Sequence, residues 1–144
     1  MTKEQRPWNA VALIFFLGLC ALSVALIARY ATTDLAQLGF FDLTLLGLAT
    51  FRLVHLLTYD KIFDPVRSSF MVGRGNRLQK APRGWRRLMC EFLECIWCTG
   101  MWSGLFAVTV YLLGIWGKFA VIVLAVAGLG SLFQVVSKRI ADAR

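Results

Sequence analysis

Charge is scarce in this sequence: Asp, Glu, Lys and Arg make up 17% of its 144 residues, where a soluble domain carries about 25%. It has one histidine, His55, and three prolines, none inside a long apolar run. No Ser/His/Asp set lies in a plausible arrangement, and with one histidine acid–base catalysis would fall to His55 or the few carboxylates. No glycine-rich phosphate loop is present. Spans unbroken by proline argue against a transporter built on discontinuous helices. Four cysteines are too few for a disulfide-stapled fold of this length. What is plentiful is apolar: 58% of residues and a mean hydropathy of +0.66, against about 45–50% apolar in soluble domains. A water-soluble globule of this size could not bury so much apolar surface, and a disordered chain has the opposite composition. An all-α integral membrane protein remains, and the enzyme classes above recede.

Four apolar runs predict four spans. The first, Trp8 to Ala28, holds 21 residues without charge and as a helix rises about 30 Å, enough to cross a bilayer core. Lys3 and Arg6 precede it, yet it is too long for a signal-peptide core, so it reads as an uncleaved anchor. The second, Phe41 to Tyr59, follows Gly39 and contains Arg52 and His55. The third, Cys95 to Trp116, and the fourth, Phe119 to Val136, meet at a tight turn marked by Gly114, Gly117 and Lys118. Between spans two and three lies a basic loop, 60–94, containing Pro65 and Pro82.

The basic residues set the expected orientation. The N-terminal tail, the central loop and the C-terminal tail hold 13 Lys and Arg, ending with Lys138, Arg139 and Arg144. The two short opposite connections hold Arg29 and Lys118 alone. This bias places the loop and both termini in the cytoplasm, with the chain in the bacterial inner membrane. The net charge of +8 is then mostly a topology signal, to which binding of anionic lipid headgroups can add. No recognition motif accompanies the charge, so no nucleic-acid partner is expected.

Several residues carry chemistry at their positions. Arg52, His55 and Tyr59 share one helix face. An arginine at that depth costs roughly 2.5–3.5 kcal/mol on insertion scales and needs a partner. Asp60, Asp64, Glu91 and Glu94 are the candidates, whereas Asp42 lies at the other end of the span. Asp64-Pro65 signals a turn and disfavours helix at Asp64, and Asp60 or Asp64 can pair with Arg67 or Arg52. From Trp85 to Trp97 the apolar positions Trp85, Leu88, Met89, Phe92, Leu93 and Ile96 fall on one helical face. Arg86, Arg87, Cys90, Glu91 and Glu94 fall on the other. This predicts an interfacial amphipathic helix, or a cytoplasmic extension of the third span.

Cys90, Cys95 and Cys98 cluster as C-x4-C-x2-C, while Cys20 sits apart in the first span. Cys95-x-x-Cys98 has the spacing of a zinc half-site or a redox pair. A zinc or iron site wants more ligands, which Cys90 and His55, or a second copy, would supply. The alternative is a set of free, packing thiols. Membrane disulfide-generating enzymes use such a pair on an oxidising face, and the charge count puts this one on the reducing face. Gly100 and Gly104 form a small-xxx-small pair on the third span, suited to close packing inside the bundle or to self-association.

The run Ala49 to Arg67, with Arg52 and Asp60-Lys-Ile-Phe-Asp-Pro-Val-Arg67, resembles one motif of a family of small bacterial and phage membrane proteins. The run Leu93-Glu-Cys95-Ile-Trp-Cys98-Thr-Gly100-Met-Trp102 resembles its second motif. This is domain-of-unknown-function family 1360, which includes a sporulation membrane protein and a mycobacteriophage protein. The resemblance covers roughly 41–136 and makes the first span an N-terminal addition to a three-span core. Ile96 replaces the proline associated with the position after the first cysteine. The resemblance implies that Arg52, Asp60, Arg67, Cys95 and Cys98 form one cytoplasmic cluster, and it implies no reaction. The expected function is therefore a non-enzymatic binding or scaffold protein whose cytoplasmic cluster meets a metal, a lipid headgroup or a protein, a second copy included. The alternatives are a thiol-redox or metal-binding protein using the CxxC, and a phage-type pore former or lysis regulator.

Overall fold

The computed structural model describes residues 6–31, 35–74, 77–81 and 83–142. Lys3, Pro82 and Arg144, used above for topology and loop signals, lie outside the described residues. The order is α1 (Arg6–Tyr30), a 3-10 turn (Leu35–Gln37), α2 (Phe40–Thr58), a 3-10 turn (Lys61–Phe63) and α3 (Asp64–Phe70). A hairpin follows, β1 (Met71–Arg74) and β2 (Arg77–Lys80), and then α4 (Trp85–Glu94), α5 (Ile96–Leu112) and α6 (Ile115–Asp142).

Three helices, α1, α2 and α6, are long and apolar enough to cross a membrane, and a fourth joins them if α4 and α5 count as one bent span. Helix α5 has 17 residues, a rise of about 25 Å. Helix α4 meets it at 87°. That angle rules out α4 as a straight extension of α5.

Helix α2 lies between α6 and α5, its two most extensive neighbours. The core is Leu46 and Ala49 of α2, Ala107, Tyr111 and Leu112 of α5, and Val121 and Ala125 of α6. Helix α1 buries no residue. It touches α5 through Phe15 and Phe16, whose rings lie 5.7 and 5.0 Å from that of Trp102. The side chains exposed on its flanks, among them Leu13, Ile14, Leu17 and Val24, are apolar, as a lipid-facing helix requires.

Three details correct the sequence reading. The loop 60–94 is ordered into α3 and an antiparallel hairpin, Met71 opposite Lys80 and Arg74 opposite Arg77, so the chain is not purely α-helical. Asp64 is helical, with φ −54° and ψ −42°, because Pro65 falls in the first turn of α3, where its missing N–H costs nothing. The third span ends at Leu112 and Trp116 already belongs to α6. Gly114, at φ +141°, makes that turn. Gly117 lies inside α6, where a Cβ would stand 1.8 Å from the Val110 carbonyl oxygen.

Candidate functional site

The last turn of α2 and the segment after it build an ion lock. Arg52 Nη2 lies 2.9 Å from Asp60 Oδ2, so of the candidate acids Asp60 is the partner of Arg52. His55 Nδ1 comes to 3.4 Å of the other Asp60 oxygen but makes no hydrogen bond. The His55 ring lies 5.0 Å from that of Tyr59. Arg67 donates to the carbonyl oxygens of Leu57 at 3.0 Å and Asp60 at 2.7 Å and pairs with Asp64. The Leu57 carbonyl belongs to the last turn of α2, where no further turn satisfies it, whereas the Asp60 carbonyl also accepts the Phe63 N–H at 3.2 Å. The Arg52–Asp60–Arg67 set therefore comes together as expected, with Arg67 on the Asp60 backbone rather than its carboxylate.

Around this lock, α3, the hairpin and α4 form a platform. Lys80 pairs with Glu94, which raises the Lys80 pKa above its ordinary value. Arg87 Nε lies 2.7 Å from Glu91, and Arg86 donates to the Ser69 carbonyl at 2.6 Å. The Trp85 ring meets Phe70 edge-on at 5.7 Å. Under α4 is a small cavity of about 60 Å³ lined by Thr58, Arg67, Met71, Cys90, Leu93 and Glu94. The Thr58 hydroxyl is buried without a hydrogen-bond partner.

The cysteines divide between two environments here. Cys90 is buried, and its thiol donates to the Phe70 carbonyl at 3.4 Å, so it leaves the polar face that periodicity suggested. Cys95 sits in the break between α4 and α5. Its N–H closes α4 on Glu91 and Phe92 at 3.1 Å each, and its sulfur caps α5 by accepting the Cys98 N–H at 3.2 Å. Thr99, fully buried, ties α5 back to the Phe92 carbonyl at 2.9 Å. Cys98 is exposed.

Cys95, Cys98, Cys90 and His55 are not gathered into one ligand set. Among the described residues no three His, Cys, Asp or Glu side chains converge as a metal site. A tetrahedral zinc centre takes four ligands, so a single chain does not fit one. The cysteine pair also stands apart from the Arg52–Asp60–Arg67 lock, with which it shares no hydrogen bond or ion pair among the described residues. Gly100 and Gly104 face Val54 and Thr50 of α2, where added Cβ atoms would meet side chains at 3.9 and 3.8 Å. They pack inside the bundle without a tight approach.

A second polar cluster, at the opposite end of the bundle, escaped the sequence reading. Tyr111 donates to Asp42 at 2.6 Å, and the Gly39 N–H donates to the same carboxylate at 2.9 Å. Lys118 Nζ lies 5.5 Å from the Tyr111 ring centre. A carboxylate in an apolar run asks for a buried partner, and Tyr111 was the available signal.

The model of a family described as "Protein of unknown function (DUF1360)" matches residues 45–137. The chain belongs to this family. The DUF1360 match starts within α2 and leaves α1 outside, as the resemblance implied. A relative, sporulation protein YjcA of Bacillus subtilis strain 168, is 32% identical over 107 residues, covering 67% of this chain and 91% of the relative. UPF0713 protein YngL of the same strain is 30% identical over 73 residues, 48% of this chain and 56% of that relative. The match thus spans about half the length of YngL. No solved structure matches the chain.

Proposed function

We propose that this DUF1360 protein is a four-span protein of the cytoplasmic membrane. Both termini are cytoplasmic, and α3, the hairpin and α4 form a basic platform that binds anionic lipid headgroups. The observation that carries this reading is the 87° turn between α4 and α5, which lays an amphipathic helix across the end of the bundle. Helices of this kind settle in the headgroup layer and gain affinity from anionic lipid. The charge balance supports it: segment 60–94 holds eight basic and four acidic residues. All four acids, Asp60, Asp64, Glu91 and Glu94, are engaged in ion pairs, so the surplus is positive. The name of the relative YjcA supports a developmental setting.

The test is native mass spectrometry of the full chain in detergent, titrated with phosphatidylglycerol or phosphatidylcholine. Wild type should retain phosphatidylglycerol preferentially. Lys61→Gln with Arg83→Gln should weaken that preference, each charge being worth about 1 kcal/mol, or roughly fivefold, near an anionic surface. Equal retention of both lipids by the wild type would contradict the proposal.

A further inference from the structure

The platform makes no use of the two cysteines at the start of α5, and their arrangement differs from that of the other thiols. Cys90 is buried against the Phe70 carbonyl. Cys95 and Cys98 occupy the cap and third positions of one helix start, with the Cys98 N–H donating to the Cys95 sulfur. The usual residue at such a cap is Ser, Thr, Asp or Asn. A cysteine there offers a sulfur that helix amides stabilise as the thiolate, the nucleophilic form. Its neighbour three residues on is exposed, and so are Ile96 and Trp97 beside it. A reactant at the membrane surface can therefore reach the pair without any opening of the bundle.

We propose that Cys95 and Cys98 form a thiol–disulfide exchange centre, with Cys95 the attacking thiolate and Cys98 the resolving thiol. The co-reactant is a disulfide, R–S–S–R, of a small molecule or a protein at the membrane surface. Cys95 attacks one of its sulfurs, the R–S–S–R bond breaks, and Cys95–S–S–R forms with release of one RS⁻. Cys98 gives up its proton and attacks the Cys95 sulfur, closing the Cys95–Cys98 disulfide and releasing the second RS⁻. The two protein thiols lose two electrons and two protons, and the co-reactant leaves as two RSH. The helix amides hold the attacking sulfur in place throughout the first step, and the three-residue spacing at one helix start presents the resolving sulfur for the second. No metal takes part, and the two sulfurs suffice.

The experiment uses the full chain in detergent, with Cys20→Ala and Cys90→Ala introduced so that only the pair remains, and oxidised glutathione as the probe. Intact-mass and peptide mass spectrometry should show a Cys95–Cys98 disulfide that forms with oxidised glutathione and reverses with reduced glutathione. In the same background, Cys98→Ser should stall as a glutathione adduct on Cys95, roughly tenfold or more above the adduct that Cys95→Ser leaves on Cys98. Wild type, with all four cysteines, should give the same disulfide, which keeps the test valid if a variant fails to fold. Absence of the 95–98 disulfide from both proteins at every glutathione ratio overturns the proposal. So does preferential trapping of the adduct on Cys98.

Discussion

Gly128 brings α6 close against α2: a Cβ there would stand 2.4 Å from the Leu48 carbonyl oxygen. Gly128→Ala should lower the thermal midpoint in detergent, by an amount matching about 1–3 kcal/mol of overpacking. Gly104→Ala should leave it nearly unchanged, since its Cβ would meet Thr50 at 3.8 Å. The small-xxx-small pair at Gly100 and Gly104 was legible in the sequence; the tighter contact at Gly128 was not, because spacing alone does not say which backbone a glycine faces. Arg67 gives a second contrast. Arg67→Ala removes the side-chain donor from the Leu57 carbonyl and one of two donors from the Asp60 carbonyl and should cost about 1–3 kcal/mol. Arg67→Lys should restore little of it, because one ammonium cannot reproduce the forked guanidinium. Chemical denaturation of both variants measures this; full rescue by lysine would contradict the capping geometry. The pairing of Arg52 with Asp60 could be anticipated, since a span arginine must find an acid near its own end. The Asp42–Tyr111 bond joins residues 69 apart in sequence, and only the packing of α2 on α5 brings them together.

At the scale of elements, the break at Cys95 decides the shape of this half of the chain. The Cys95 N–H ends α4, its sulfur begins α5, and the Thr99 hydroxyl holds the two together through the Phe92 carbonyl. Thr99→Val keeps the volume and removes that bond. The expected cost is about 1 kcal/mol, read as a lower thermal midpoint, with the rest of the bundle intact. An unchanged midpoint would mean that the bend is held by packing alone. The amphipathic period of 85–97 was plain in the sequence. Its angle to α5 was not, because the same period fits an interfacial helix and a straight extension of the third span equally well. The hairpin was missed for a different reason. Gly75-Asn76 is a two-residue hairpin signal, but the flanking strands lack the alternation of a half-buried sheet, and the basic residues around them read as solvated loop.

For the whole molecule, the helical membrane class and the approximate limits of the apolar runs could be read from composition and run length, and the family from the resemblance of two motifs, Ala49 to Arg67 and Leu93 to Trp102. The order of packing, with α2 between α5 and α6 and α1 at the rim, could not, because uniformly apolar helices carry little facing information. The same surplus of positive charge underlies both the orientation and the lipid reading proposed here, so the side on which the platform lies is the point to test. The most direct measurement is a pair of alternative reporter fusions, alkaline phosphatase and a fluorescent protein, placed after Lys80 and separately in the turn at Gly114. The account predicts fluorescence without phosphatase activity at Lys80 and the reverse at Gly114. Phosphatase activity at Lys80 would contradict it, because the basic platform would then face away from the cytoplasm.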